Sequence, residues 1–148
     1  MADAEHGNEV GESGQLLDLL EGAGFVRDRD PRFPGATHYV LGYDWRRDLV
    51  ESARELGRRL DAIAAARDQP EARFHLLGHS MGGLVVRYYL RYGGAEPDEN
   101  APVTWAGTRR VASALLVATP NAGALPALGA ILSGSRVGLS YTTLASAV

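Results

Sequence analysis

Apolar positions recur along this chain with two different periods, and the changes of period mark out its elements. The clearest run is Asp48 to Ala66, where Leu49, Ala53, Leu56, Leu60 and Ile63 return at steps of four and three. That spacing lays one apolar stripe along a helix and turns the charged residues away from it. Asp48, with Glu51 three residues on, resembles a capping box, Glu55 can pair with Arg58 or Arg59, and Gln69-Pro70 closes the segment. A shorter helix is predicted over Gln15 to Glu21, with Ser13 as its cap and Gly22 and Gly24 as its stop. A third follows Gly83, with Leu84, Val85, Tyr88, Tyr89 and Tyr92 on one face and Gly93-Gly94 as the stop.

Between these helices the pattern reads as strands. Thr37 to Tyr43 is β-branched and aromatic, and Phe74 to Leu77 is short and apolar. Val111 to Ala118 is almost wholly apolar, the pattern of a strand buried on both faces. Phe25 to Gly35 and Ala95 to Gly107 read as loops. Residues 1–14 read as a polar leader, expected to be disordered, ahead of a core segment over 15–123. The last stretch, 124–148, is apolar, rich in small residues and weakly periodic, and is expected to begin a lid or cap region.

Strands alternating with helices at these lengths imply an α/β fold: a parallel sheet with right-handed crossovers, helices on both faces, and three layers in all. In such sheets the chemistry gathers beyond the carboxyl ends of the strands. Three segments leave strands there: Tyr43-Asp44-Trp45-Arg46, Gly78 to Gly83, and Thr119-Pro120-Asn121-Ala122-Gly123. The middle one contains Gly-x-Ser-x-Gly between a strand and a helix, the sequence form of a nucleophile elbow. Gly78 and Gly82 are expected where a Cβ would collide with the neighbouring strand and helix, and Ser80 is the candidate nucleophile near a helix N-terminus.

Composition narrows the chemistry. The formal net charge of −3 and the lack of a basic run leave no electrostatic case for nucleic acid as a partner. Every cationic side chain is an arginine, so neither Schiff-base chemistry nor a serine–lysine dyad is open to this chain. With no cysteine there is no thiol nucleophile and no disulfide. Leu84 stands where a phosphate-binding loop needs lysine, which argues against a nucleotide site. No metal or other cofactor is expected. The N-terminus lacks the basic start and apolar core of a secretory signal, and no apolar run has the length of a membrane span. If Met1 is the true start, a cytoplasmic location is expected.

Three landmarks in order, Tyr43-Asp44-Trp45-Arg46 before an amphipathic helix, Gly78-His79-Ser80-Met81-Gly82-Gly83, and Ala118-Thr119-Pro120-Asn121-Ala122-Gly123, resemble the lecithin:cholesterol acyltransferase branch of the α/β-hydrolase superfamily. The resemblance covers roughly Gln15 to Gly123, and Ala118 stands where the last motif of that family usually begins with glycine. It implies the central portion of an α/β-hydrolase fold. It also implies ester chemistry on lipid or other acyl substrates through an acyl-serine intermediate, with Ser80 as nucleophile and the backbone N–H of Met81 as an oxyanion donor. Gly78, His79, Gly82, Gly83, Asp44, Trp45 and Thr119 are then the supporting residues.

In that superfamily the acid and the histidine follow the serine along the chain. Here the histidines are His6, His38, His75 and His79, none after Ser80, and no Asp or Glu lies between Gly107 and Val148. No triad acid or base is therefore assigned, and the chain is expected to be the middle of such a fold, completed by a further segment or by an oligomer. Two alternatives remain open: a non-catalytic remnant or interaction module of the same fold, and a thioesterase or peptidase with the same elbow. His79 is expected to support its loop, while His75 and His38 enter their strands at the end remote from the site, His75 as a packed or capped core residue. Asp44 is expected to pair with Arg46 or Arg47, and Tyr88, Tyr89 and Tyr92 to pack in the core. Thr119 to Gly123 is either a tight loop or a wall of the acyl site.

Overall fold

The computed structural model describes residues 12–28, 35–96, 102–125, 129 and 132. Most of the expected leader and most of the expected lid or cap region lie outside them. The described elements run α1 (Glu12–Gly22), α2 (Leu49–Ala66), β1 (Phe74–His79), α3 (Gly82–Tyr92), a 3-10 turn (Ala106–Arg110) and β2 (Val111–Val117). α1 opens at Glu12, so Ser13 is its second residue rather than its cap.

The apolar stripe of α2 is the spine of the core. Ala53, Leu56 and Leu60 are buried together with Val85, Val86 and Tyr89 of α3 and Val111 of β2, and Phe74, Leu76 and Leu116 pack partly against them. Each large aliphatic side chain removed from water there contributes about 1.5–3 kcal/mol. Asp48 caps α2, its carboxylate accepting the Val50 N–H at 2.7 Å. The reciprocal half of a capping box is not made, because the Glu51 carboxylate is taken by Arg47 one turn back. Glu55 pairs with Arg58 at 3.0 Å, whereas Arg59 reaches across to the buried Asp28 at 3.1 Å. The helix stops at Arg67 and Asp68, the latter at φ 53°, before Pro70 is reached.

β1 and β2 lie side by side in parallel, with Leu76 opposite Ala114, Leu77 opposite Leu115 and Gly78 opposite Leu116. α3 is the crossover helix between them and packs on one face of the pair. Since side chains alternate along a strand, Leu76, Gly78 and Leu116 turn toward the helices. His75, Leu77, His79, Ser113, Leu115 and Val117 turn the other way. That second face is exposed: Leu115 is 58 % accessible and Leu77 39 %. The expectation that β2 is buried on both sides is thus corrected, because among the described residues one face alone is covered. The described α/β core is two strands under helices on one side, not three full layers. His75 is not packed in the core; it stands exposed on the open face, with its Nδ1 2.7 Å from Ser113 Oγ.

The predicted strand over Thr37 to Tyr43 does not form. Its hydrogen-bonding groups go instead to an isolated bridge between Arg27 and His38, with Asp28 N–H donating to His38 O at 2.9 Å and Thr37 N–H to Val26 O at 2.9 Å. Arginines from α2 then pin this bridged loop: Arg67 donates to Ala36 O at 2.7 Å and to the Tyr39 hydroxyl at 3.2 Å, beside the Arg59–Asp28 pair. β-Branched and aromatic composition marked the segment as extended, but among the described residues its backbone pairs only around His38, and no neighbouring strand extends that bridge into a ladder. No helix among the described residues is long and apolar enough to cross a membrane.

Candidate active site at the carboxyl ends of the strands

Ser80 follows directly on β1 and has φ 51°, a left-handed conformation that an L-residue with a side chain adopts only under constraint. The constraint is steric. A Cβ on Gly78 would stand 2.7 Å from both Cα and N of Gly83, so strand and helix meet backbone to backbone. A chain that must leave β1 and return as α3 within that distance has to turn sharply at Ser80. The turn is held by the Ser80 N–H donating to Val117 O at 2.8 Å and the Gly83 N–H donating to Ser80 O at 3.1 Å. Ser80 itself is exposed, and among the described residues its hydroxyl makes no hydrogen bond.

One expectation shifts by a residue. A Cβ on Gly82 would meet the Tyr43 hydroxyl at 3.7 Å, an ordinary contact, whereas one on Gly83 would overlap Thr119 Oγ1. The crowded pair is therefore Gly78 and Gly83, not Gly78 and Gly82. These contacts bring the three landmark segments to one place: Tyr43 against Gly82, Thr119 against Gly83, and the serine turn between. Thr119 Oγ1 is buried without a hydrogen-bond partner, so the residue acts here through shape. The loop it opens is tied down again one helical turn along α3, where Arg87 donates to Asn121 Oδ1 at 2.6 Å. Gly83 and Arg87 share a helix face at a spacing of four. That spacing is a signal in the sequence, and neither Arg87 nor the Tyr43 hydroxyl was identified from it.

Met81 is the N-cap residue of α3, with φ −61° and ψ −25°, and its backbone N–H has no partner among the described residues. A free N–H at a helix N-terminus beside an exposed hydroxyl is the geometry that receives a developing oxyanion. Asp44 does not reach this point as a base. Its two oxygens are forked by Arg46, at 2.8 Å from Nε and 2.8 Å from a terminal nitrogen, with the Arg46 N–H adding a third bond at 3.1 Å. The guanidinium hydrogen bonds hold this carboxyl well below the usual range, at about 2. Trp45 beside it is 69 % exposed. The Tyr43 hydroxyl, partly buried, is pushed above its ordinary value by desolvation.

His79 occupies the open face of β1 opposite Val117, and the His38 ring is buried in the Arg27 bridge with both nitrogens unpartnered. On α3 the buried face is Gly83, Val85, Val86 and Tyr89. This corrects part of the expected face: Tyr89 is core and Tyr88 packs partly against it, but Leu84 and Tyr92 are left half-buried, lining with Tyr88 a shallow cavity of about 190 Å³ shared with Leu49, Arg87 and Arg91. The cause is the steric demand at Gly83, which sets the rotation of the helix.

A serine on a strand–turn–helix corner of a parallel sheet is the arrangement of the α/β-hydrolase class. Residues 15–147 match the family model of lecithin:cholesterol acyltransferase, and the chain belongs to that family. Membership suggests an enzyme of the lipid acyltransferase or esterase kind. Neither the curated proteins nor the solved structures contain a match to this chain.

Three outcomes follow from this geometry. Gly78→Ala drives a Cβ into backbone and is expected to cost about 3 kcal/mol or more, read from the denaturant midpoint; a change below about 1 kcal/mol would contradict the close approach. Ala118 has φ 49°. Ala118→Gly relieves a left-handed strain of about 1–2 kcal/mol against about 0.5–1 kcal/mol of added chain entropy, so it is expected to stabilise the fold by up to about 1 kcal/mol. The Asp44 carboxyl, followed by carbon NMR, should titrate near 2 and move up toward its ordinary 3.8 in Arg46→Ala. Because the folded value is depressed, this pair supports the fold above the ordinary value and that support fades as pH falls through 2.

Proposed function

We propose that this chain carries the nucleophile of a serine enzyme that hydrolyses or transfers acyl esters, lipids among them. The carrying observation is Ser80: strained to φ 51°, exposed, and seated next to the unpartnered N–H of Met81. In the acylation step Ser80 Oγ bonds to the carbonyl carbon and the carbonyl oxygen takes the negative charge. Met81 N–H meets that charge, a donor of a kind typically worth about 10²–10³ in rate. Collapse of the adduct breaks the bond to the departing alcohol and leaves the acyl group on Ser80. Water or a second alcohol then takes the acyl group off.

The Ser80 proton needs a base, since a serine hydroxyl alone is a weak nucleophile. Among the described residues no histidine or carboxylate bonds to it, so in this reading the base and its acid come from outside them. The open face of β1 and β2, which leaves Leu77, Leu115 and Val117 exposed, supports the same view, with the two strands as the centre of a larger three-layer arrangement. The unpartnered hydroxyl also favours a second reading, in which the chain is a non-catalytic module of this fold.

A fluorophosphonate probe separates the two readings. The proposal expects covalent labelling of the wild-type protein at Ser80 and none in Ser80→Ala. Equal labelling of the variant, or a wild-type protein inert to the probe and to short-chain esters alike, would leave the non-catalytic reading in its place.

A further inference from the structure

A cavity of about 480 Å³ lies away from Ser80. It sits between α2, the end of α3 and the 3-10 turn that feeds the start of β2. Since β1 and β2 run parallel and Ser80 follows their far ends, the two places are separated by the length of the sheet, roughly 20 Å for six residues. A group held in this cavity would not touch an acyl carbon at Ser80.

The polar groups of the cavity are almost all donors. Arg54 and Arg58 come from α2 and Arg109 and Arg110 from the 3-10 turn. Tyr89 is 5 % exposed, yet its hydroxyl has no hydrogen bond to any described residue. Asp61 is the one carboxylate in the wall, and Arg110 already holds it at 2.8 Å. At the rim, Arg54 donates to Gly94 O at 2.9 Å and pairs with Glu96 at 3.1 Å, and Arg58 pairs with Glu55 at 3.0 Å. Arg109 has no carboxylate partner among the described residues. The glycines at 57, 93 and 94 leave the wall between these groups bare of side chains.

A helix C-terminus attracts a cation, and α3 ends here, but Arg91 already stands in its last turn. That effect does not account for four guanidiniums and a phenol whose hydroxyl has no partner among the described residues, all lining one cavity. Exposed ion pairs contribute about 0–1 kcal/mol each, so the rim arginines can turn inward at little cost. Guanidinium forks match the oxygens of a phosphate group two at a time, and a phenol O–H supplies a further donor. We propose that this cavity is a binding site for a phosphate group, separate from the acyl site, with Arg109 and Tyr89 as its central donors.

The group could be a free phosphate or the headgroup of a phospholipid, and the test has an arm for each. The full chain is titrated calorimetrically with inorganic phosphate, and in parallel sedimented with phosphatidylcholine vesicles with and without phosphatidic acid. Arg109→Ala is expected to weaken the interaction about tenfold and Tyr89→Phe about threefold, while Arg47→Ala, outside the cavity, leaves it unchanged. Heat with inorganic phosphate assigns the site to the free anion. Retention on phosphatidic-acid vesicles alone, lost in Arg109→Ala, assigns it to a headgroup. Binding equal in the wild type and both cavity variants, or binding in neither arm, overturns the proposal. Arg109 is exposed, so its replacement does not disturb the core, and circular dichroism confirms the fold of Tyr89→Phe.

Discussion

The contact between Gly78 and Gly83 governs the rest of this structure. Two backbones meet there with no room for a single methyl group, and from that approach the other features follow in order. The chain has to reverse within three residues, which forces Ser80 into left-handed space and exposes its side chain. Helix α3 has to start immediately, which fixes the rotation that sends Val85, Val86 and Tyr89 into the core and leaves Leu84 and Tyr92 half-buried. The same rotation presents Gly83 to Thr119 and Arg87 to Asn121, so the loop after β2 is locked against the helix that carries the serine. Strain at Ser80 is offset by the backbone hydrogen bonds that hold the turn and by the core packing beyond it.

How much of this was legible in the sequence depends on whether an element is specified locally. α2 was readable almost to the residue, because its stripe from Leu49 to Ile63 encodes both the helix and its buried face. The elbow was readable because Gly-x-Ser-x-Gly records a steric demand, although the demand falls on Gly83 where the motif suggested Gly82. Thr37 to Tyr43 failed for the opposite reason. A strand is defined by its neighbour, and no local pattern shows that Arg59 on α2 and Arg67 at its C-cap, about two turns apart, will hold Asp28 and Ala36 beside the bridge at His38. β2 formed where its apolar run lies, but its burial was misjudged: the run reports what the strand could bury, and burial on the second face needs a partner that the run itself does not contain.

Charge is distributed with the same economy. All cations here are arginines, and most are committed to neighbouring carboxylates or carbonyls as clamps: Arg46 on Asp44, Arg59 on Asp28, Arg67 on Ala36, Arg87 on Asn121. Flat, multi-donor guanidiniums suit this role because each can hold a carbonyl and a second oxygen together. Against that background Arg109 is conspicuous, since it faces a cavity and clamps nothing. The two ends of the sheet thus differ in kind, one presenting a strained hydroxyl with free backbone N–H groups and the other a concentration of side-chain donors.

The seat of the proposed nucleophile and the supply of a base for it are physically separable in this fold. Everything that shapes Ser80 lies within β1, α3, the end of β2 and the loop after it: the glycine contact, the Val117 carbonyl and the Thr119 wedge. None of these groups titrates, so the turn holds its geometry whatever the protonation state of its surroundings. In the proposed reading, a histidine delivered from elsewhere would meet a serine already placed, with the unpartnered N–H of Met81 beside it. Preorganisation of that kind lowers the reorganisation required when charge develops, and it also explains why the strained turn persists in a described core that does not itself contain the base. The strain is a property of how strand and helix are packed, and chemistry can be added to it or withheld without altering the fold.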